Sequence, residues 1–143
     1  IDNDKAIDKV DFASAEYVID MEAVKKKLSI RADKDLVACD ITGLQTINLG
    51  SDFTIPFRLT KPDQYNFLVS IINFYYDSDG RIVKCENEVT LSTSPYFTQL
   101  KLNEVTTAEI EIDRQDNSYT YDLTLSGITE NVMIYISAQK IIP

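Results

Sequence analysis

A chain of 143 residues, 44% of them hydrophobic, is long enough to form one globular domain around its own core, which sets the expected domain at 1-143. Fourteen Lys and Arg against 23 Asp and Glu leave a formal charge of −9, which argues against nucleic acid as a partner, and no run approaches the roughly 20 apolar residues of a membrane span. The absence of any His removes Ser-His-Asp and Cys-His nucleophile activation, His-based metal sites and the usual general base near neutral pH.

The sequence begins at Ile1 rather than Met, and residues 1–6 read as a loose tail. Together with an acidic, Thr- and Tyr-bearing composition, that beginning predicts a product exported after removal of an upstream signal, to an extracellular, periplasmic or cell-surface setting. From Ser14 onward Tyr17, Met21, Val24 and Leu28 recur at helical spacing. Ser14 can cap the start, while Glu16 and Lys25-Lys26-Lys27 suit the two ends of a helix dipole, so the spacing predicts a helix over about 14–28. Such a helix would close one end of a β-sandwich or lie on an exposed sheet face.

Beyond residue 35 the apolar period falls to two. Val37, Cys39 and Ile41 share one face of a first strand, and Ile47 and Leu49 one face of a second. Phe53, Ile55, Phe57 and Leu59 alternate with polar residues around Pro56, which lacks a ladder donor and predicts a sheet edge. Phe67 to Phe74 is apolar on both faces and predicts a central strand covered on both sides. Asp77-Ser78-Asp79-Gly80 then predicts a hairpin turn with Gly80 at positive φ. Further alternating segments follow at Phe97 to Leu102, Ala108 to Ile112, Tyr119 to Leu125 and Val132 to Ile142. The pattern predicts about nine short strands in a mainly β, two-sheet antiparallel sandwich, immunoglobulin-like or jelly-roll, with one short helix near the N-terminus.

Chemistry-bearing features are few. Cys39 and Cys85 both fall on inward phases, which permits a disulfide between facing sheets or two separate core thiols. Asp77, Asp79 and Glu86 carry part of a calcium-loop spacing, but Tyr75 stands where the first ligand belongs and the flanks read as strands, so a tight turn explains the pattern better. Glu109, Glu111 and Asp113 share an outward face with Asp122, which reads as a solvated acidic surface and, less readily, as a carboxylate pair for hydrolysis. Tyr75, Tyr76, Tyr96, Phe97, Tyr119 and Tyr121 gather near strand ends and are candidate binding residues, although Tyr119 and Tyr121 run in phase with Leu123 and Leu125 and so suit a core.

No glycine-rich phosphate loop is present among only four glycines, and no cofactor is implied. The reading is a non-enzymatic interaction or structural module. Its partner would be another protein, basic or cation-bridged to suit the acidic balance, or a second copy paired through an edge strand at Phe53 to Leu59 or at the last strand. A tyrosine-lined small-ligand or carbohydrate site and a carboxylate-dependent hydrolase are the alternatives.

Overall fold

A computed structural model describes residues 25–92, 99–113 and 120–141. They form ten strands: β1 Lys25–Ala32, β2 Val37–Ala38, β3 Gly43–Asn48, β4 Phe53–Leu59, β5 Tyr65–Tyr76, β6 Ile82–Ser92, β7 Gln99–Lys101, β8 Thr107–Asp113, β9 Thr120–Ser126 and β10 Asn131–Lys140. Two five-stranded sheets result, ordered β3-β1-β10-β5-β6 and β2-β4-β9-β8-β7. The protein is mainly β and sandwich-like, with no helix among the described residues. No described helix is long and apolar enough to cross a membrane.

The expected helix over 14–28 is corrected at its C-terminal turn, where Lys25 to Leu28 begin β1; residues 14–24 lie outside the described residues. Leu28 and Ile30 are buried, while Lys27 before them and Ser29 between them are only half-buried, the period of a strand. Long-range pairing outweighs the local helical spacing here. The strand lies parallel to β10, with Leu28 opposite Val132 and Ala32 opposite Ile136, and the Lys27 amide donates to Asn131 Oδ1 at 2.9 Å. This parallel pair also corrects the all-antiparallel expectation.

β5 lies inside its sheet between β10 and β6, but the central position belongs to β10. One face of β5, Phe67, Val69 and Ile71, is buried, whereas Leu68, Ser70 and Ile72 on the other are half-buried, so cover on both sides is not complete. β4 is not strictly an edge, since β2 pairs with it at Leu59 and Arg58 alone. Beyond those two residues its flank is open. The Thr60 amide donates to the Leu36 carbonyl at 3.0 Å on that flank, so by strand periodicity the nitrogen of Pro56 points the same way, toward no ladder partner. The last strand is no edge at all.

The core lies between the inner faces of the sheets. Leu28, Ile30, Val69, Ile71, Val132, Ile134 and Ile136 from the first sheet meet Ile55, Phe57, Leu59, Ala108, Leu123 and Leu125 from the second. Each buried Leu, Ile or Phe contributes roughly 1.5–3 kcal/mol of transfer free energy. Phe57, Phe67 and Tyr121 interlock across the sheets, with ring centroids 6.1, 5.4 and 4.9 Å apart.

One end is tied by polar groups. Asn103 Oδ1 accepts from the amides of Val105 and Thr106 at 2.9 and 2.8 Å, and buried Thr106 donates its hydroxyl to the Gly127 carbonyl at 2.8 Å. Gly127 takes φ +66°, and a Cβ there would stand 3.4 Å from the Val105 carbonyl oxygen.

Candidate interaction surfaces

The two outer sheet faces differ in chemistry. On the second sheet, strand register sets Thr54, Thr124 and Glu109 in one row and Pro56, Asp122 and Glu111 in the next. Glu111 therefore lies directly opposite Asp122, Asp113 opposite Thr120, and Thr54 and Thr124 share a hydroxyl contact at 3.1 Å. This is an open, hydrated surface.

The outer face of the first sheet is apolar and basic. One row crosses it as Leu44, Ser29, Met133, Ile72 and Glu88, and the next carries Arg31, Tyr135, Ser70 and Thr90. Leu44 is 58% exposed, and Tyr135 is also exposed. Lys25 and Lys27 reach sideways on this face to Asn48 Oδ1 and Thr46 Oγ1. A shallow depression of about 130 Å³ is lined by Arg31, Ile72, Lys84, Met133 and Tyr135 among others. The chain's charge of −9 is thus distributed unevenly: Lys25, Lys27, Arg31 and Lys84 lie on this face with Glu88, and exposed Glu86 stands between Lys84 and Glu88 on β6.

The candidate tyrosines do not form one platform. Tyr75 and Tyr76 are exposed at the end of β5 but, as neighbours on a strand, point to opposite faces. Tyr121 lies in the core rather than at a binding rim: it is 5% exposed and stacked on Phe57. Tyr96, Phe97 and Tyr119 lie outside the described residues. A larger depression of about 360 Å³ beside the end of β1 is lined by Arg31, Lys34, Val37, Cys39 and Thr42 among others, with no aromatic side chain. It does not resemble the tyrosine-lined pocket of the ligand-binding alternative.

At the β5–β6 turn, Asp77 Oδ1 accepts from the amides of Asp79 and Arg81, both at 2.9 Å, and Gly80 takes φ +79°. The carboxylate thus caps its own turn. Glu86 lies in β6, within Cys85 to Asn87, the stretch that breaks the pairing between Lys84 and Glu88. Among the described residues no three His, Cys, Asp or Glu side chains converge as a metal site.

Both thiols are free, the second of the two arrangements that the sequence permits. Cys39 follows β2 at an edge of the second sheet and Cys85 sits in β6 at an edge of the first. Burial pushes the Cys39 thiol up; its hydrogen bond to the Ile41 carbonyl at 3.6 Å acts the other way, and Asp40 adds to the rise. In native protein at pH 8, Cys39 should therefore alkylate more slowly than the cysteine of a short peptide. Site-resolved mass spectrometry checks this, and equal rates would refute it.

Four strands end the sheets, and they are not equally protected. β6 carries exposed Lys84, Glu86 and Glu88 around its irregularity, β2 is two residues long and leaves open a flank of β4 that carries Pro56, and β7 is three residues long. β3, Gly-Leu-Gln-Thr-Ile-Asn, has no charge, proline or bulge along its six residues, and no described strand pairs with its outer edge. Its composition was visible in the sequence; its edge position was not. Met133 and Tyr135 were likewise missed as surface residues, although they occupy the outward phase between Val132, Ile134 and Ile136.

No protein-family model matches the sequence, and no curated protein or solved structure shows significant similarity to it.

Proposed function

We propose that the protein is a non-enzymatic structural module that associates with other protein chains by accepting a strand at the edge of β3. The observation that carries this reading is the contrast among the sheet ends, since β3 alone lacks a charged, proline or length-based guard against pairing. A second copy of the chain is the partner chosen for the test. Antiparallel β3 pairing about Thr46 sets Leu44 opposite Asn48 of the other copy and keeps both outer faces on one side, with no charged residue on β3 itself and Lys25 and Lys27 of each copy one strand back from the seam. The basic partner suggested by the net charge does not suit this edge, because Lys25 and Lys27 flank it.

Within this reading we favour an immunoglobulin-like over a jelly-roll plan, since the paired Greek keys of a jelly roll are antiparallel and β1 runs parallel to β10. An exported setting rests on composition alone.

Light scattering over a concentration series tests the strand addition. Wild-type protein should rise toward twice the monomer mass, and Leu44→Lys with Thr46→Lys should weaken association at least about tenfold while the thermal midpoint is retained. A wild-type monomer at every concentration overturns self-pairing at β3.

A further inference from the structure

We propose that the β3-paired dimer holds a small doubly charged oxyanion, sulfate or hydrogenphosphate, on its two-fold axis between Lys27 and Thr46 of the two copies. The site rests on the strand addition proposed above, since each copy supplies only half of it. Antiparallel pairing about Thr46 runs the axis through the seam, normal to the sheet and midway between Thr46 and the same residue of the other copy. Residues directly opposite on paired strands share a face at a Cα separation of about 5 Å, so the two hydroxyls emerge side by side. Thr46 is exposed, in phase with exposed Leu44 and Asn48.

The donors already reach toward that axis. Lys27 stands opposite Thr46 in register and Lys25 opposite Asn48, one strand back from the edge. Lys27 Nζ nevertheless crosses to β3 and donates to Thr46 Oγ1 at 2.7 Å, and Lys25 Nζ donates likewise to Asn48 Oδ1. Their charge therefore lies over β3 rather than over β1. An ammonium group has three donors, so Lys27 keeps two, and a hydroxyl that accepts from Lys27 still has its own proton to give. In the dimer two ammonium groups and two hydroxyls converge on the axis, with the Lys25 pair about 7 Å further along the strands. A tetrahedral oxyanion has a two-fold axis of its own, so its four oxygens can meet these four symmetry-related donors. Without an anion the same arrangement sets like charges across the seam and opposes pairing. β1 and β3 contain no acid to neutralise them, and Glu86 and Glu88 stand on β6 at the other end of the sheet.

Light scattering of the full chain in sodium sulfate and in sodium chloride at matched ionic strength tests the site. Matching removes general screening, which acts equally in both salts. For a site of about 1 mM affinity, about 10 mM sulfate should tighten dimerisation roughly tenfold relative to chloride. Lys27→Gln supplies the second readout. In chloride, with its thermal midpoint retained, it should pair at least about twofold more tightly than wild type, because like charge has left the seam, and sulfate should add nothing. A lysine with a merely structural role predicts weaker pairing instead. A wild-type dimer indifferent to the choice of salt overturns the anion site and leaves β3 pairing standing. A sulfate response that Lys27→Gln retains does the same, since it is then the general effect of an ion excluded from protein surfaces. A wild-type monomer in both salts ends β3 self-pairing and the site together.

Discussion

Replacing Phe67 with alanine will lower the free energy of unfolding by about 3–5 kcal/mol, the largest loss expected from any single truncation considered for this fold. Phe67 is buried on β5 and sets its ring against both Phe57 of β4 and Tyr121 of β9 in the opposite sheet. Truncation removes the transfer free energy of the ring, leaves a cavity between sheets that cannot close independently, and deletes two edge-to-face contacts worth roughly 0.5–1.5 kcal/mol each. A domain of this size has about 5–15 kcal/mol in total, so the variant would be close to unfolding under mild denaturant. Tyr75→Ala, at an exposed position on the same strand, should change stability by no more than about 0.5 kcal/mol. Urea titration of the two variants side by side is the measurement. A loss for Phe67→Ala within about 1 kcal/mol of the Tyr75 control would mean that the aromatic contact between sheets does not hold the core as described.

Thr106→Val should cost about 2 kcal/mol despite keeping the shape of the side chain. Thr106 is fully buried; its hydroxyl donates to the Gly127 carbonyl at 2.8 Å and accepts from the Thr129 amide at 3.4 Å. Valine would leave both backbone groups without that partner, and an unmade bond at a buried group costs its desolvation rather than the small net worth of an average hydrogen bond. Thr54→Val supplies the contrast. Its hydroxyl meets Thr124 on the solvated outer face at 3.1 Å, where water replaces a lost partner, so that variant should be nearly neutral. Equal losses for the two valine variants would remove the case for a buried polar tie at this corner.

Much of the architecture was legible because burial imposes a period that local sequence records. Ile55, Phe57 and Leu59 announce β4, and Asp77 to Gly80 announce the β5–β6 turn with its positive φ. The signal failed where two periods overlap. Leu28 completes a helical series begun at Tyr17, yet it also starts the alternation Leu28, Ile30, and only the partner strand β10, about a hundred residues away, decides between them. Parallel pairing has no adjacent turn to advertise it, so the first strand went unread. The extra residues Cys85 to Asn87 that interrupt β6 have no local signature either. For the candidate surfaces, sequence could identify which residues share a face, as with Glu109, Glu111 and Asp122, but not which strands end a sheet. That property belongs to strand order.

The central place of β10 has a consequence for how the chain comes into being. On a ribosome β10 is made after every other described strand, yet in the first sheet it is the only link between the β3–β1 pair and the β5–β6 pair. Until residues 131–140 emerge, a nascent chain holds two half-sheets with no ladder between them, each offering a raw edge, Leu28 to Ala32 on one side and Tyr65 to Phe74 on the other. Both edges are rich in buried-type side chains and are open to chaperones or to neighbouring nascent chains for as long as translation takes. The second sheet is less exposed to this delay, since β4, β7, β8 and β9 precede β10 and can assemble without it. The first sheet is therefore completed by its last-made strand, which satisfies two edges at once.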